Sequence, residues 1–164
     1  MGNHRVMMRT SLLLALLVAG HWLWAAEGLT VLQGQAERGD PWAQLNLGAA
    51  YDNGIGVAAE PAQAVHWYRR AAEQGLAQAQ FNLGHSYATG NGVAQDYAEA
   101  VRWLVLAARQ GMAEAQHLLA VCYLEGLGVK VDRAEAQQWL SQAAAQHYQP
   151  ALDYAQRHHL EQGE

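Results

Sequence analysis

The chain has 164 residues, 51% of them hydrophobic and 15% charged, with a net charge of −5. This length suits one domain, and the balance of apolar to charged residues excludes a disordered chain. Its acidity disfavours nucleic acid and anionic lipid as partners, and a lone cysteine, Cys122, excludes any disulfide within the chain.

The first element in chain order is an export segment. His4, Arg5 and Arg9 make a polar, basic start, Leu12 to Ala19 (LLLALLVA) form an apolar run, and small residues follow at Ala25 and Ala26. This is the layout of a secretory signal peptide over residues 1–25. Even extended to Trp24, the run is shorter than the roughly 20 residues that a spanning helix needs. Cleavage after Ala25 or Ala26 leaves Leu23 or Trp24 at the −3 position, where a small side chain is preferred. Leu17-Val18-Ala19-Gly20 resembles the start of a lipoprotein processing site, but His21 occupies the place of the lipidated cysteine, which excludes that anchor. The expectation is a cleaved, exported chain, periplasmic in a bacterial envelope, with secretion or retention by an uncleaved segment as the alternatives. Losing Arg5 and Arg9 takes the net charge from −5 to −7.

Beyond this segment the chain repeats itself every 36 residues. Alanines recur at Ala43, Ala79 and Ala115, tyrosines at Tyr51, Tyr87 and Tyr123, and tryptophans at Trp67, Trp103 and Trp139. Gly54/Gly56 returns as Gly90/Gly92 and Gly126/Gly128, each pair followed by valine (Val57, Val93, Val129). A period between about 20 and 50 residues is the signature of a stacked array of small units. The full units are 40–75, 76–111 and 112–147.

Each unit reads as two helices. The first carries Ala43, Leu47, Gly48 and Tyr51 on one face of a 3.6-residue period, and Gly48 and Gly84 predict close approach of another helix. Gly-x-Gly-Val ends it, since glycine adopts the left-handed conformation that a helix C-cap needs. Asp96 with Glu99, and Asp132 with Glu135, predict capping boxes at the second helix; the first unit offers Glu60, Pro61 and Gln63 there. Trp67 then stands among Ala64, Ala71 and Ala72, filling the wedge between units. Gly75 and Gly111 close the second helix, and His147 takes their place in the third copy. Residues 26–39 fit only a second helix, with Val31, Leu32 and Ala36 in the register of Trp67, Tyr68 and Ala72. Residues 148–164 hold a first helix with Ala151 in register and then a tail. Both read as caps.

Ala-x-x-x-Leu-Gly-x-x-Tyr-x-x-Gly-x-Gly-Val, then Asp, Ala-x-x-Trp and Ala-Ala, resembles the Sel-one-like repeat, a relative of the tetratricopeptide repeat. The resemblance covers nearly all of the chain after its export segment. It implies an all-α fold, a right-handed α-solenoid of antiparallel helix pairs with half-repeat caps, whose concave face is lined by the first helices. It also implies a partner-binding adaptor, with a periplasmic immunity protein that neutralises a toxin as an alternative. Some secreted relatives carry a disulfide in each repeat and are linked to β-lactam binding or hydrolysis; this chain lacks those cysteines.

In that frame, positions one step round the first helices are expected to line the groove: Leu45, Phe81 and His117, then Ala49, His85 and Val121, with Trp42 one turn before Leu45. These seven form the expected binding site for a protein or peptide segment, with partial burial under the adjacent cap helix as the competing role. Gln44, Gln80 and Gln116, like Asn46 and Asn82, are expected to bond to backbone between units. No histidine pair has the i, i+4 spacing of a helical metal site, and adjacent His158 and His159 diverge by about 100°. Ser86 and Ser141 lack an evident base. No metal, cofactor or catalytic residue is expected, and a monomer is.

Overall fold

The computed structural model describes residues 28–158; the signal-peptide segment and His159 lie outside them. Eight helices follow one another: α1 (28–37), α2 (Pro41–Asn53), α3 (Pro61–Glu73), α4 (Ala77–Thr89), α5 (Tyr97–Arg109), α6 (Ala113–Glu125), α7 (Arg133–Ala145) and α8 (Gln149–Arg157). Among the described residues there is no strand. From α2 onward each helix packs on the next, the pairs α2/α3, α4/α5 and α6/α7 most closely, which makes an all-α repeat solenoid. No described helix is long and apolar enough to cross a membrane.

The helix ends follow glycine chemistry. Gly54, Gly90 and Gly126 cap α2, α4 and α6 at φ 69°, 75° and 72°. After α3 the chain closes a Schellman motif, in which Leu76 N donates to Ala71 O and Gly75 N to Ala72 O, with Gly75 at φ 89°. His147 adopts the same left-handed turn at φ 59°, the only non-glycine among the described residues to do so. The second glycine of each pair serves a different purpose. A Cβ on Gly92 would run into the backbone of Pro61, and one on Gly128 into that of Tyr97, because these loops rest on the start of the preceding second helix.

The capping boxes are only half made. Asp96 Oδ1 accepts from Ala98 N at 2.9 Å and Glu99 N at 3.1 Å, and Asp132 caps Ala134 and Glu135 likewise. The return bond is pre-empted: Asp96 N donates to Tyr87 O, Asp132 N to Tyr123 O, and Glu60 N to Tyr51 O. Glu99 turns instead to Arg102 at 2.6 Å, and Glu60 makes no side-chain cap at all.

The core is a column of leucines, Leu47, Leu83, Leu104, Leu119 and Leu140, each fully buried among alanines. Close helix packing needs small side chains at the contact. A Cβ on Gly48 would stand 2.6 Å from Tyr68 Cδ1, and one on Gly84 3.1 Å from Ala100 O. The tryptophans pack between units: Trp67 joins Ala36 of α1 with Ala43 and Leu47 of its own unit, and Trp103 lies against a cluster drawn from the first two units. Val31, in the register of Trp67, is exposed because no described unit precedes it.

Glutamines stitch the units together. Gln80 Nε2 donates to Ala72 O at 3.2 Å, while Gln110 Nε2 donates to Gln80 Oε1 at 2.8 Å. The same pair of bonds recurs as Gln44 to Ala36 O with Gln74 to Gln44, and as Gln116 to Ala108 O with Gln146 to Gln116. Each buried amide thus joins the end of one second helix, the next first helix and its partner. Asn82 differs from expectation, since its Oδ1 accepts from the Gln78 side chain rather than pairing with backbone.

Candidate functional site

The seven expected binding residues separate into two groups. Leu45 is 6% exposed and belongs to the core cluster holding Ala79 and Leu83 of α4. Phe81 packs in turn with the cluster of Ala115 and Leu119 of α6. His117 meets Tyr148 and Tyr154 at 5.8 and 5.6 Å, beneath α8. This register therefore faces the next unit's first helix. Leu45 offers nothing to a partner and is corrected to a core residue; Phe81 and His117 are half-buried seams.

The other group stays open. Trp42 is 60% exposed at the start of α2, and His85 is exposed on α4, its ring 6.2 Å from that of Phe81. Ala49 and Val121, in the register of His85, are partly exposed. α2 is anchored here by Asp40, whose Oδ1 accepts from Ala43 N at 2.7 Å.

Electrostatics mark the C-terminal seam. Burial, and then the nearby Arg157 guanidinium, hold His117 below its ordinary value of 6.5, and its buried Nε2 has no hydrogen-bond partner. The Arg157 guanidinium lies 5.7 Å from the Tyr154 ring, which stacks on His158 at 4.2 Å. Burial and Glu125 raise the Tyr154 phenol. Burial pushes the Cys122 thiol up to about 11; it is a core side chain, 1% exposed, out of reach of another chain. Ser86 is likewise buried. Among the described residues no three His, Cys, Asp or Glu side chains gather.

Among the described residues, clefts open on the second helices and beside the α4–α5 loop. One of about 590 Å³ holds Arg69, Tyr87, Arg102 and Trp103; one of about 380 Å³ is lined by Val101, Arg102, Trp103, Val105 and Leu106; one of about 500 Å³ runs along Gln138, Ser141 and Gln142. None of these was expected. The signal was present in the register Arg69-Arg70, Val105-Leu106 and Ser141-Gln142, where the outward pair changes character in every unit.

The Sel1 repeat model matches residues 43–76, 77–112 and 113–148. Among solved structures, the chain is 48% identical to a protective antigen present in uropathogenic Escherichia coli strains, which displays an SLR fold. That alignment covers 72% of this chain and 25% of the antigen, with a TM-score of 0.70. A Sel1 repeat protein from Oxalobacter formigenes is 39% identical with a TM-score of 0.72, over 77% of this chain and 50% of that one. The chain thus spans half the length or less of these relatives. No curated protein matches it. Sel1-repeat proteins generally mediate protein–protein interaction, on a fold that is typically a non-catalytic scaffold. With three copies of the repeat across most of its length, the chain belongs to the Sel1-repeat family.

Proposed function

We propose that this chain is an exported, periplasmic adaptor without catalytic activity, which binds a partner protein or peptide on its first-helix face. The observation that carries this reading is Trp42. It is 60% exposed, whereas Trp67 is buried at 9% and Trp103 and Trp139 are half-buried. A large ring left in water is the usual anchor of a protein contact. His85 and the open edge of Phe81 extend the surface one unit further, with Ala49 and Val121 as shallow flanks. Export rests on the basic, apolar and small-residue order of residues 4–26.

The test is affinity purification of the tagged chain from envelope extract, identification of what it holds, and titration of that partner against single variants. Trp42→Ala and His85→Ala are expected to weaken binding about tenfold or more. Unchanged affinity in both variants overturns the first-helix site. Recovery of the chain in the cytoplasmic fraction, with residues 1–25 intact, overturns export.

A further inference from the structure

Gln33, Arg69 and Val105 occupy one register of the second helices, and it changes character in every unit. Gln33 Nε2 reaches Tyr51 Oη at 3.5 Å, Arg69 Nη2 donates to Tyr87 Oη at 2.6 Å, and Val105 has nothing to donate. A second register, Glu60, Asp96 and Asp132, is acidic throughout. The middle junction is therefore the one where a guanidinium and a carboxylate meet the same hollow. That hollow, of about 590 Å³, lies between α3 and α5 beside the α4–α5 loop, and Arg69, Tyr87, Asp96, Glu99, Arg102 and Trp103 line it. Its size falls within the roughly 300–1,000 Å³ of small-molecule sites.

Two arginines face two acids in this cleft, yet their charges do not all cancel across it. Arg102 and Glu99 close on each other at 2.6 Å. Arg69 and Asp96 do not: among the described residues Arg69 meets no carboxylate within ion-pair distance. Each is held back by a structural bond. Arg69 is tied to Tyr87, a core residue 8% exposed. Asp96 is tied to the start of α5, its Oδ1 taking both Ala98 N and Glu99 N. What each leaves open is specific. The Tyr87 hydroxyl accepts from Arg69, and its own proton has no acceptor among the described residues. Asp96 Oδ2 accepts no bond there either. A fixed group of donors and a free carboxylate oxygen thus line one cleft without meeting, with Val93 and the half-buried Trp103 ring as its apolar wall.

We propose that this cleft binds a small zwitterion, a free α-amino acid or a short unblocked peptide with an apolar side chain. Its carboxylate sits on Arg69 and the Tyr87 hydroxyl, its ammonium on Asp96, and its side chain against Trp103. The balance of charge selects this class. A plain anion meets the Arg69 donors but also the uncompensated Asp96, and a plain cation meets the reverse. A molecule that carries both charges and no net charge satisfies both sides with charge-assisted bonds. Neither outer junction offers the pair, since Glu60 shares its junction with Gln33 and Asp132 with Val105. The bound molecule joins α3 of one unit to α5 of the next, and it uses none of the first-helix residues assigned to the adaptor role.

The test is isothermal titration calorimetry of the full chain with L-leucine, L-phenylalanine and leucyl-leucine, each beside its N-acetyl and its amide form. At least one unblocked compound is expected to bind with a Kd below about 1 mM. Its two blocked forms, which keep a single charge, should bind about tenfold more weakly or worse. Tighter binding of leucine or phenylalanine than of leucyl-leucine assigns the site to free amino acids, and the reverse order assigns it to short peptides. Arg69→Gln, which copies the side chain of Gln33, and Asp96→Asn, which keeps the helix cap, should each weaken the ligand about tenfold. Tyr87→Phe should weaken it as well, and Arg70→Gln, the same charge change outside the cleft, should leave it unchanged. Circular dichroism reports the fold of each variant. The proposal is overturned if no unblocked compound binds, or if an N-acetyl or amide form binds as tightly as its parent. It is equally overturned if Arg69→Gln and Asp96→Asn fold and bind the ligand as the parent chain does.

Discussion

Gln80 and Phe81 are neighbours in α4, yet their registers behave in opposite ways along the chain. The first reads Gln44, Gln80, Gln116; the second reads Leu45, Phe81, His117. Every glutamine meets the same two partners, the carbonyl of an alanine in the preceding helix and the amide of a glutamine thirty residues later. Each side chain of the second register meets a different neighbour: leucine and alanine of α4, then α6, then two tyrosines around α8. A side chain bonded to backbone is fixed by geometry that the stack reproduces. One packed on side chains changes with them.

The sharpest break of that fixed geometry lies in the loops. Gly92 has φ 72° and its Cβ would strike Pro61 backbone, whereas a Cβ on Gly90, at φ 75°, would meet nothing nearer than Gln95 Cβ, at 3.4 Å. Gly92→Ala is therefore expected to cost about 3 kcal/mol or more, and Gly90→Ala about 1 kcal/mol. Urea unfolding of the two variants measures the difference. Equal losses would mean that backbone strain alone, without the inter-unit contact, sets the requirement for glycine.

Next in size is the glutamine ladder. Gln80→Ala removes one donor to Ala72 O and leaves the Gln110 amide without its 2.8 Å acceptor, in a position 4% exposed. The expected loss is about 2 kcal/mol. Gln78→Ala, two residues away on the exposed side, should stay within about 0.5 kcal/mol. Amide exchange should place the Gln80 effect at the junction of α3, α4 and α5. A loss spread evenly over all units would sink the idea that each glutamine holds its own junction.

How much of this could be read in the sequence follows from the same contrast. Glycine caps, aspartate caps, Leu47 with its copies Leu83 and Leu119, and the tryptophan column all recur, so their period revealed them; Leu104 and Leu140 stand where the first unit has Tyr68, which hid that column. Gln74, Gln110 and Gln146 recur as well, but they follow the last turn of a helix, where an amide reads as solvent-facing; their role depends on a carbonyl and a side chain thirty residues away. Leu45 was misplaced for a physical reason. Helical periodicity gives an angle around one helix, whereas burial depends on which neighbour lies at that angle, and α4 does. The α5 cleft needs three aligned copies before Val105 and Leu106 stand out against Arg69 and Arg70. The export segment remains a reading of sequence alone.

The third copy shows what happens where the pattern lapses. His147 holds the left-handed turn at φ 59° that glycine fills at Gly75 and Gly111. His147→Gly should therefore stabilise the chain by about 1 kcal/mol, because a side chain at that angle is strained. A thermal melt measures the gain. No gain would mean that the greater entropy of glycine in the unfolded chain offsets the relief.

The smallest effect is the one that depends on pH, and it tests the variable register directly. His117 is neutral under α8, where burial and Arg157 hold its affinity for protons below that of an unfolded histidine. Between the two values the unfolded chain binds more protons, so stability is complete above about 6.5 and falls as pH drops through 6.5 toward the folded value. The groups facing it are Tyr148, Tyr154 and Arg157, with Glu114 on its own helix and Glu125 close to Tyr154. Subtracting the pH–stability profile of His117→Gln from that of the parent isolates this contribution from the carboxylates. The difference should shrink as the solution is acidified from pH 7 to 5, with the earliest loss of amide protection in α8. A difference that is flat across this range, or an opposite slope, would mean that His117 is solvated at the seam, and that α8 is held by Ala151 and the tyrosines alone.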